Sequence, residues 1–338
     1  MATIPSLTKT VDDFFTHTWY TIREEAIDQI LDANVITAAF RSKGRFMTQV
    51  GEDRITRTLR YGTKTATNVM KGDTLTHGED DIETMAWWNW KYTSAHIQRS
   101  LMDDQQNSGT GKIKSLVQTK IDAAKDALDD AVESAFTTAV DTGGGTDLRA
   151  DRDPDGLYNM LPGGSYYNQS AGSYTYGNVD TGTGNTWWQG QYKTANDPAT
   201  LHLLSDMRNL YNTCGKNRKN GYPDLIIMEQ TLFEIYEDFA LDMSQIILNS
   251  GTRLADLGFE VLKFKGADVI WTDDVTDYTL FMLNTRYIDV VYDPKLWFMM
   301  TDWKPIPYQT ERIAHILIAW NMLCKQLRCQ GWLGTYTS

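Results

Sequence analysis

The sequence predicts an α+β fold in which one long helix lies on β-strands. Residues 112–140 contain neither glycine nor proline and repeat apolar residues at helical spacing. Residues 54–61 and 83–97 instead alternate between two sets of positions, which is the period of a strand. Residues 308–327 are apolar at both alternating registers, which indicates a central strand that is buried on both faces.

The segment 112–140 carries a single apolar stripe along one side of the predicted helix. Its members are Ile113, Leu116, Val117, Ile121, Ala124, Leu128, Val132, Ala135, Phe136 and Ala139. At 1.5 Å per residue, the helix would be about 43 Å long. Two lysines near its start and the acidic Asp129, Asp130 and Glu133 near its end oppose the helix dipole. We therefore expect packing on a sheet to stabilise it, although a long core helix in an ordinary enzyme would show the same pattern.

The composition is that of a globular chain with one large domain or two. Its 338 residues are 41% hydrophobic and 22% charged, and no apolar run is long enough to span a bilayer. No secretory segment opens the sequence, so we expect no membrane partner. Cys214, Cys324 and Cys329 form neither a disulfide framework nor a metal-binding spacing, which favours reduced thiols and folding in the cytosol.

The charge is unevenly spread along the chain. The net charge of −12 argues against tight binding to nucleic acid, which requires a basic surface. Residues 41–71 nevertheless carry eight basic residues against two acidic ones, a net charge of +6 that leaves −18 on the remainder. The basic residues are Arg41, Lys43, Arg45, Arg54, Arg57, Arg60, Lys64 and Lys71. We call residues 41–71 the basic limb. A basic segment on an otherwise acidic chain is the charge distribution that a self-associating protein would use.

Two segments near the N-terminus are candidates for docking. Residues 11–40 predict an extended lead and then a helix, whose apolar stripe closes the chain's own core or docks on a neighbour. The stripe consists of Trp19, Ile22, Ala26, Ile27, Ile30 and Leu31. Residues 54–61 predict a strand paired with residues 46–50 through a turn at 51–53. Only five residues between Arg54 and Met70 are strongly apolar, so this hairpin needs another surface, unless it is a surface hairpin of a monomer.

The remaining segments alternate between helices and strands. Residues 83–97 predict an aromatic strand, and residues 142–198, with 11 of the 25 glycines, predict long loops that pack down. Helices are predicted at 199–211 and 230–248, and strands at 225–228, 259–264, 268–272, 278–283 and 288–291. We expect residues 308–327 to pair with the strand around residues 87–92 and to carry the long helix, with His315 as a hydrogen-bonded core residue.

The motifs that would indicate catalysis or cofactor binding are incomplete. The glycine-rich residues 108–112 lack the glycine and the hydroxyl that a phosphate loop needs at Gln106 and Ile113. Residues 151–156 match half of a calcium loop, but the position of its bidentate glutamate holds Pro162. The histidines are scattered, and no nucleophile, base and orienting group come together. We therefore expect no catalytic residue, no cofactor, no metal and a non-enzymatic function.

Three stretches carry a resemblance to a known family. They are residues 176–180 with Trp187 and Trp188; residues 257–267 with 269–271 and 283–285; and residues 312–324 followed by Gln330 and Gly331. In these stretches, and in the order of its predicted elements, the chain resembles the major capsid proteins of tailed bacteriophages, which have the Hong Kong 97-type fold. The resemblance covers most of the chain.

The resemblance implies a shell subunit with five parts. These are an N-terminal arm (1–43), an extended β-hairpin loop (44–76), a peripheral domain (77–141) with the spine helix 112–140, an axial α/β domain (142–285) and returning strands of the peripheral domain (286–338). The extended loop would lie on a neighbouring subunit through Arg45, Arg54, Arg57, Arg60, Lys64 and Lys71. Pentamers and hexamers would form the icosahedral capsid of the virion, assembled in the host cytoplasm around double-stranded DNA.

The same resemblance implies further partners. Little sequence precedes the arm, so we expect a separate scaffolding protein and a portal; a decoration protein is compatible with this interpretation. Because the body is acidic, packaged DNA would be contacted only weakly. Lys64, Asn68 and Lys71 have the residue types of covalent cross-linking, but such residues are common in loops. Two alternatives stay open: an encapsulin-like compartment, and a glycan-binding protein or glycoside hydrolase that would use the many aromatic residues.

Overall fold

The computed structural model describes residues 34–62, 66, 68–74, 78, 81–100, 102, 116–138, 153–162, 174–195, 198–216, 221–242, 262–334 and 336. These residues fall into two compact units. Unit 1 holds, among them, Asn34 and the segments Tyr92–Val132 and Lys295–Ala319; unit 2 holds Val35–Lys91, Glu133–Pro294 and Trp320–Ser338. The predicted N-terminal helix and the predicted elements at residues 243–248 and 259–261 lie outside the described part of the chain.

Helices and strands alternate along the described residues. The helices are α1 (Val35–Ser42), α2 (Leu116–Thr137), α3 (Leu157–Met160), α4 (Ala199–Gly215) and α5 (Gln230–Asp242). The strands are β1 (Phe46–Thr48), β2 (Arg54–Arg60), β3 (Glu83–Asn89), β4 (Lys91–Ser100), β5 (Thr175–Tyr176), β6 (Val179–Asp180), β7 (Gln191–Thr194), β8 (Leu225–Met228), β9 (Leu262–Phe264), β10 (Ala267–Trp271), β11 (Leu280–Leu283), β12 (Ile288–Tyr292), β13 (Met299–Met300), β14 (Lys304–Pro305), β15 (Glu311–Cys324) and β16 (Gly331–Gly334). No helix among these residues combines the length and the apolar composition that crossing a membrane requires.

Unit 2 contains a six-stranded mixed sheet in the order β7-β16-β11-β8-β10-β9. All four residues of the inner strand β8 are buried, as expected of a strand that is covered on both faces. β8 runs parallel to β10 and antiparallel to β11. Leu203 and Met207 of α4 and Leu232 of α5 join Ile226 and Met228 of β8 in one hydrophobic core. These two helices therefore cover one face of the sheet.

The strand partners near the basic limb differ from the prediction. β1 pairs in parallel with β12, with Phe46 opposite Val290, and β2 pairs antiparallel with β3. The predicted pairing of residues 46–50 with residues 54–61 is therefore wrong. Val290 and Val291 of β12 are fully buried, so β12 offers β1 an apolar partner that the mostly polar β2 does not supply.

The aromatic strand predicted at residues 83–97 consists of two strands. β3 and β4 are separated at Trp90, whose indole N–H donates to the carbonyl oxygen of Glu52, 2.8 Å away. β3 pairs with β2, whereas β4 pairs with β15. The closing strand therefore pairs with this region through β4 and not through Trp87 and Trp88.

Unit 1 contains residues 311–319 of β15, with β4, β13 and β14 as partner strands. Ala314, Ile316 and Ile318 are buried on one face of β15, whereas His315 on the other face is exposed. The predictions that His315 lies in the core and that the whole strand is buried on both faces are therefore wrong. Only one face of this half of the strand is covered, and continuous burial begins at Ile318.

The long helix α2 spans Leu116–Thr137, within the predicted range. Residues 112–115, including Ile113, and residues 139 and 140 lie outside the described part, as does the side chain of Val117. The described stripe residues in unit 1 are half-buried or buried: Ile121, Ala124, Leu128 and Val132. Lys125 and Asp126 are exposed, so this part of α2 has the predicted amphipathic pattern.

The last turns of α2 anchor α1 within unit 2. The buried ring of Phe136 lies 5.5 Å from that of Phe40, measured between centroids. The buried Glu133 carboxylate accepts hydrogen bonds from the backbone N–H groups of Ile36 and Thr37 at 2.6 and 2.8 Å. It also accepts one from the Thr37 hydroxyl at 2.6 Å. A carboxylate distant in sequence thus satisfies the first N–H groups of α1, which a local N-cap residue normally satisfies.

Glu133 is expected to give the fold a specific pH dependence. Burial raises the pKa of its carboxyl group above the usual 4.5, because the charged form loses solvation. The folded chain therefore binds this proton more tightly than the unfolded chain. The resulting stabilisation is complete below about pH 4.5 and is lost as the pH rises through the folded pKa. Relative to Glu133→Gln, the free energy of unfolding of the wild type should fall as the pH rises above about 4.5, measured by urea denaturation. A difference that rises with pH would contradict this.

Candidate assembly surface

The β2–β3 hairpin, residues 54–89, has a buried face and an exposed face. Its register places Arg54 opposite Asn89 and Arg60 opposite Glu83. The buried face carries Ile55, Leu59, Ala86 and Trp88, each at most 5% exposed. We call the other side the outer face; it carries Arg54, Thr56, Thr58, Arg60, Glu83, Met85, Trp87 and Asn89. Met85 on this face is 59% exposed, so the outer face presents both charge and apolar area.

Five aromatic side chains hold the hairpin on the rest of unit 2. The ring of Trp88 lies edge-on to that of Tyr176 at 5.7 Å, and Tyr176 lies 6.2 Å from Trp188, measured between centroids. The indole N–H of Trp188 donates to the carbonyl oxygen of Tyr176 at 3.0 Å. Tyr61, just beyond β2, stacks on Trp187 at 5.0 Å. We call Tyr61, Trp88, Tyr176, Trp187 and Trp188 the aromatic anchor.

A tight turn between β5 and β6 allows the backbone to pack directly against Trp88 of the aromatic anchor. Gly177 and Asn178 both have φ of 59°, in the left-handed region that glycine adopts without strain. The backbone N–H of Trp87 donates to the carbonyl oxygen of Gly177 at 3.1 Å. A Cβ atom on Gly177 would lie 2.6 Å from Cζ2 of Trp88. Both the backbone conformation and the contact with Trp88 therefore require glycine at this position.

We expect Gly177→Ala to lower the free energy of unfolding by about 2 kcal/mol and to loosen the hairpin from the aromatic anchor. Gly184→Ala is the matched control, because nothing lies within 4 Å of a Cβ added there. Thermal unfolding followed by near-ultraviolet circular dichroism and tryptophan fluorescence measures both variants. Equal melting temperatures for the two would contradict the role assigned to Gly177.

Three of the six basic residues predicted to contact a neighbour lie on β2. The Arg54 guanidinium lies over the ring of Trp87, 4.0 Å from its centroid, on the outer face. Arg57 is half-buried and donates to Oε1 of Gln49 at 3.3 Å. Arg60 is exposed at the far end of the strand. β2 therefore carries positive charge along its whole length, and the first and last arginines share the outer face.

The other three predicted contact residues are not on β2. Arg45 precedes β1 and donates its Nε–H to the carbonyl oxygen of Lys43 at 3.0 Å. Lys71 lies in an exposed turn between β2 and β3, and Lys64 lies outside the described residues. The contact role of all six residues stays a prediction.

The loop between β2 and β3 exposes apolar side chains beside an ordered turn. Val69 is 53% exposed and Met70 is 82% exposed. The Met70 N–H donates to the Asp73 carboxylate at 2.5 Å, and the Asp73 N–H donates to the Met70 carbonyl oxygen at 3.1 Å. These two side chains are accessible to a partner, so we include the loop in the candidate assembly surface. The sequence does not predict this turn, because a Val-Met pair in a polar loop has no periodic signal.

The described residues offer surfaces for association and no cluster for metal chemistry. Within the described ranges, no three His, Cys, Asp or Glu side chains gather closely enough to hold a metal ion. Cys214, Cys324 and Cys329 are all buried, and none of them forms a disulfide within the described part of the chain. Burial raises the pKa of Cys324 to about 12, so this thiol stays protonated at neutral pH.

Comparisons with known proteins identify the fold of this chain. No protein-family model matches the sequence, and no curated protein matches it. Solved structures match along nearly the whole chain. The capsid asymmetric unit of cyanophage A-1(L) has a TM-score of 0.63 at 14% identity, covering 95% of this chain and 98% of that chain. The chain has the Hong Kong 97-type capsid fold.

The same capsid fold recurs in other solved shells. The capsid of an empty GTA particle matches with a TM-score of 0.59 at 12% identity, covering 93% of this chain and 94% of that chain. The holo-SrpI encapsulin complex of Synechococcus elongatus matches with a TM-score of 0.54 at 9% identity, covering 98% and 99%. The predicted α+β fold and the predicted resemblance to phage capsid proteins are confirmed. At these identities the likeness shows the fold alone.

Proposed function

We propose that the chain is the major capsid protein of a tailed double-stranded DNA bacteriophage. Its copies would assemble as pentamers and hexamers into the icosahedral shell of the virion, a structural and not an enzymatic role. The observation that carries the proposal is the match to the cyanophage capsid chain, which covers almost all of both chains. The capsid fold therefore accounts for nearly the whole chain.

The β2–β3 hairpin supports self-association as the mode of assembly. Its outer face combines Arg54 and Arg60 with the exposed Met85, and the loop beyond it exposes Met70. The chain apart from residues 41–71 carries a net charge of −18. A basic limb gains energy on the acidic surface of a neighbouring copy, and many such weak contacts add across a shell.

The overall charge also bears on the contents of the shell. With a net charge of −12, the chain would contact packaged DNA only weakly, so that the DNA stays free to enter and leave. We propose that assembly takes place in the host cytoplasm with a separate scaffolding protein and a portal, and that the finished shell can carry a decoration protein.

An encapsulin-like compartment is the second candidate. It is favoured by the match to the SrpI encapsulin complex, which covers 98% of this chain and 99% of that one. The glycan-binding alternative has less support, because four of the tryptophans, Trp88, Trp188, Trp320 and Trp332, are each at most 3% exposed and pack in the interior instead of facing a ligand.

Electron microscopy of particles purified from infected or expressing cells tests the proposal. The phage role predicts isometric shells that protect double-stranded DNA from added nuclease. Shells that contain a packaged protein in place of nuclease-resistant DNA would favour the encapsulin-like compartment. A protein that forms no shells under any of these conditions would contradict both.

A further inference from the structure

The sheet of unit 1 is covered on one face and open on the other. Ala314, Ile316 and Ile318 of β15 are at most 1% exposed and define the covered face. The intervening residues Ile313 and Leu317 are partly exposed. β13 lies beside β15 with Met299 opposite Leu317, so Met299 belongs to the open face.

β4 extends the open face on the other side of β15. The side chain of Gln98 on β4 donates to the carboxylate of Glu311 on β15, which places Gln98 on the open face. Since side chains alternate along a strand, Tyr92 and His96 lie on the same face as Gln98. Both are exposed, Tyr92 by 62%. The open face therefore consists of Tyr92, Ser94, His96, Gln98, Met299, Glu311, Ile313, His315 and Leu317.

The composition of the open face indicates that something covers it. Four of its nine members are apolar (Tyr92, Met299, Ile313 and Leu317), and Tyr92 at 62% and Met299 at 38% are exposed. A partly apolar sheet face is commonly buried by an amphipathic helix, since each 100 Å² removed from water contributes about 2.5 kcal/mol. The suitable occupant is therefore a helix with one apolar stripe.

The sequence supplies one such helix outside the described residues. We propose that residues 19–31 of the same chain cover the open face of unit 1 through Trp19, Ile22, Ala26, Ile27, Ile30 and Leu31. A 13-residue helix is about 20 Å long, enough to cross three strands spaced about 4.8 Å apart. On such a helix Glu24, Glu25 and Asp28 lie off the stripe, whereas Arg23, four residues from both Trp19 and Ile27, lies within it.

The covalent link between residues 19–31 and α1 favours a covering helix from the same chain over one from a second copy. Residue 33 joins the described chain directly before α1, whose first turn is held by Glu133. Asn34, which directly precedes α1, belongs to unit 1 itself. A segment tethered in this way has an effective concentration in the millimolar range, far above that of a second copy in dilute solution. The docking belongs to the free subunit and so goes beyond the shell function.

Two adjacent methionines allow a direct test. Met299 and Met300 are nearly equally exposed, by 38% and 39%, but they lie on opposite faces of β13. Peroxide oxidation of the full chain, kept too dilute to assemble and read by mass spectrometry, should modify Met299 about fivefold more slowly than Met300. In the double variant Ile27→Asp with Ile30→Asp, the two rates should become equal.

Controls separate docking from unfolding. Glu25→Gln with Asp28→Asn changes the polar side of the same helix and should retain the slow oxidation of Met299. Met70, which is 82% exposed, sets the rate of a free methionine, and the fully buried Met282 reports any global unfolding. Where the double aspartate variant unfolds, the single variant Ile30→Ser replaces it.

Two results would overturn the proposal. Equal rates for Met299 and Met300 in the wild type would show that the open face is bare. Protection of Met299 that persists in the double variant would show that residues 19–31 are not the cover, and protection that grows with protein concentration would assign the cover to a second copy. Because these measurements use free subunits, neither result bears on whether the chain forms shells.

Discussion

Replacing Glu133 by alanine is expected to lower the free energy of unfolding by about 3 kcal/mol, because three hydrogen bonds to the buried carboxylate are lost together. The backbone N–H groups of Ile36 and Thr37 would be left without this acceptor at the first turn of α1. Urea denaturation at neutral pH measures the loss, and hydrogen exchange of residues 35–42 locates it.

Glu133→Gln is the matched control for this variant. Its side-chain oxygen can still accept from the N–H groups of α1, and it avoids the burial of a charge, so it should retain most of the stability. An alanine variant as stable as the glutamine variant would show that α1 is held by packing around Phe40 and not by the carboxylate.

Reversing the charges of Arg54 and Arg57 is expected to abolish shell formation while leaving a folded, soluble subunit. Each charge at a partly exposed contact contributes about 1 kcal/mol, so the pair changes each contact by about 2 kcal/mol. That corresponds to about a 30-fold weaker association constant for every contact, and a closed shell repeats the contact many times. Sedimentation of Arg54→Glu with Arg57→Glu against the wild type measures the loss of particles.

Arg54→Lys with Arg57→Lys distinguishes charge from geometry. It keeps both positive charges but replaces the planar group over Trp87 and the hydrogen bond to Gln49. Assembly by the lysine variant and failure of the glutamate variant would assign the effect to charge. Normal particles from the glutamate variant would contradict an electrostatic role for β2.

The parts of the fold that the sequence predicted are those with a long periodic signal. The stripe from Ile121 to Phe136 indicated the long helix, and the apolar residues 225–228 indicated the strand β8. Partner choice was not predictable, because alternation along β2 states which residues face inward but not which strand lies alongside. The correct partner, β3, lies beyond a loop of more than 20 residues, whereas the incorrect one was the nearest in sequence.

The positive charge of the candidate assembly surface could be predicted from the sequence, but the packing that holds the surface in place could not. The excess of basic residues between Arg41 and Lys71 is visible in the amino-acid sequence and is sufficient to mark the limb. The aromatic anchor depends on Trp88 meeting Tyr176 and Trp188 from distant segments, which no local pattern encodes. The prediction that His315 lies in the core was wrong for a related reason. Residues on both faces of β15 are apolar, and this pattern does not show that the half of the strand containing His315 is covered on one face only.

The mass of the purified protein in native solution tests the central claim most directly. If copies of this chain complete one another through the hairpin and its loop, mass photometry at rising concentration should show a closed assembly of many subunits of 38.5 kDa each. In such particles the Met70 and Met85 side chains should be protected from oxidation. A single stable species of 38.5 kDa at all concentrations, with both methionines equally reactive throughout, would contradict it.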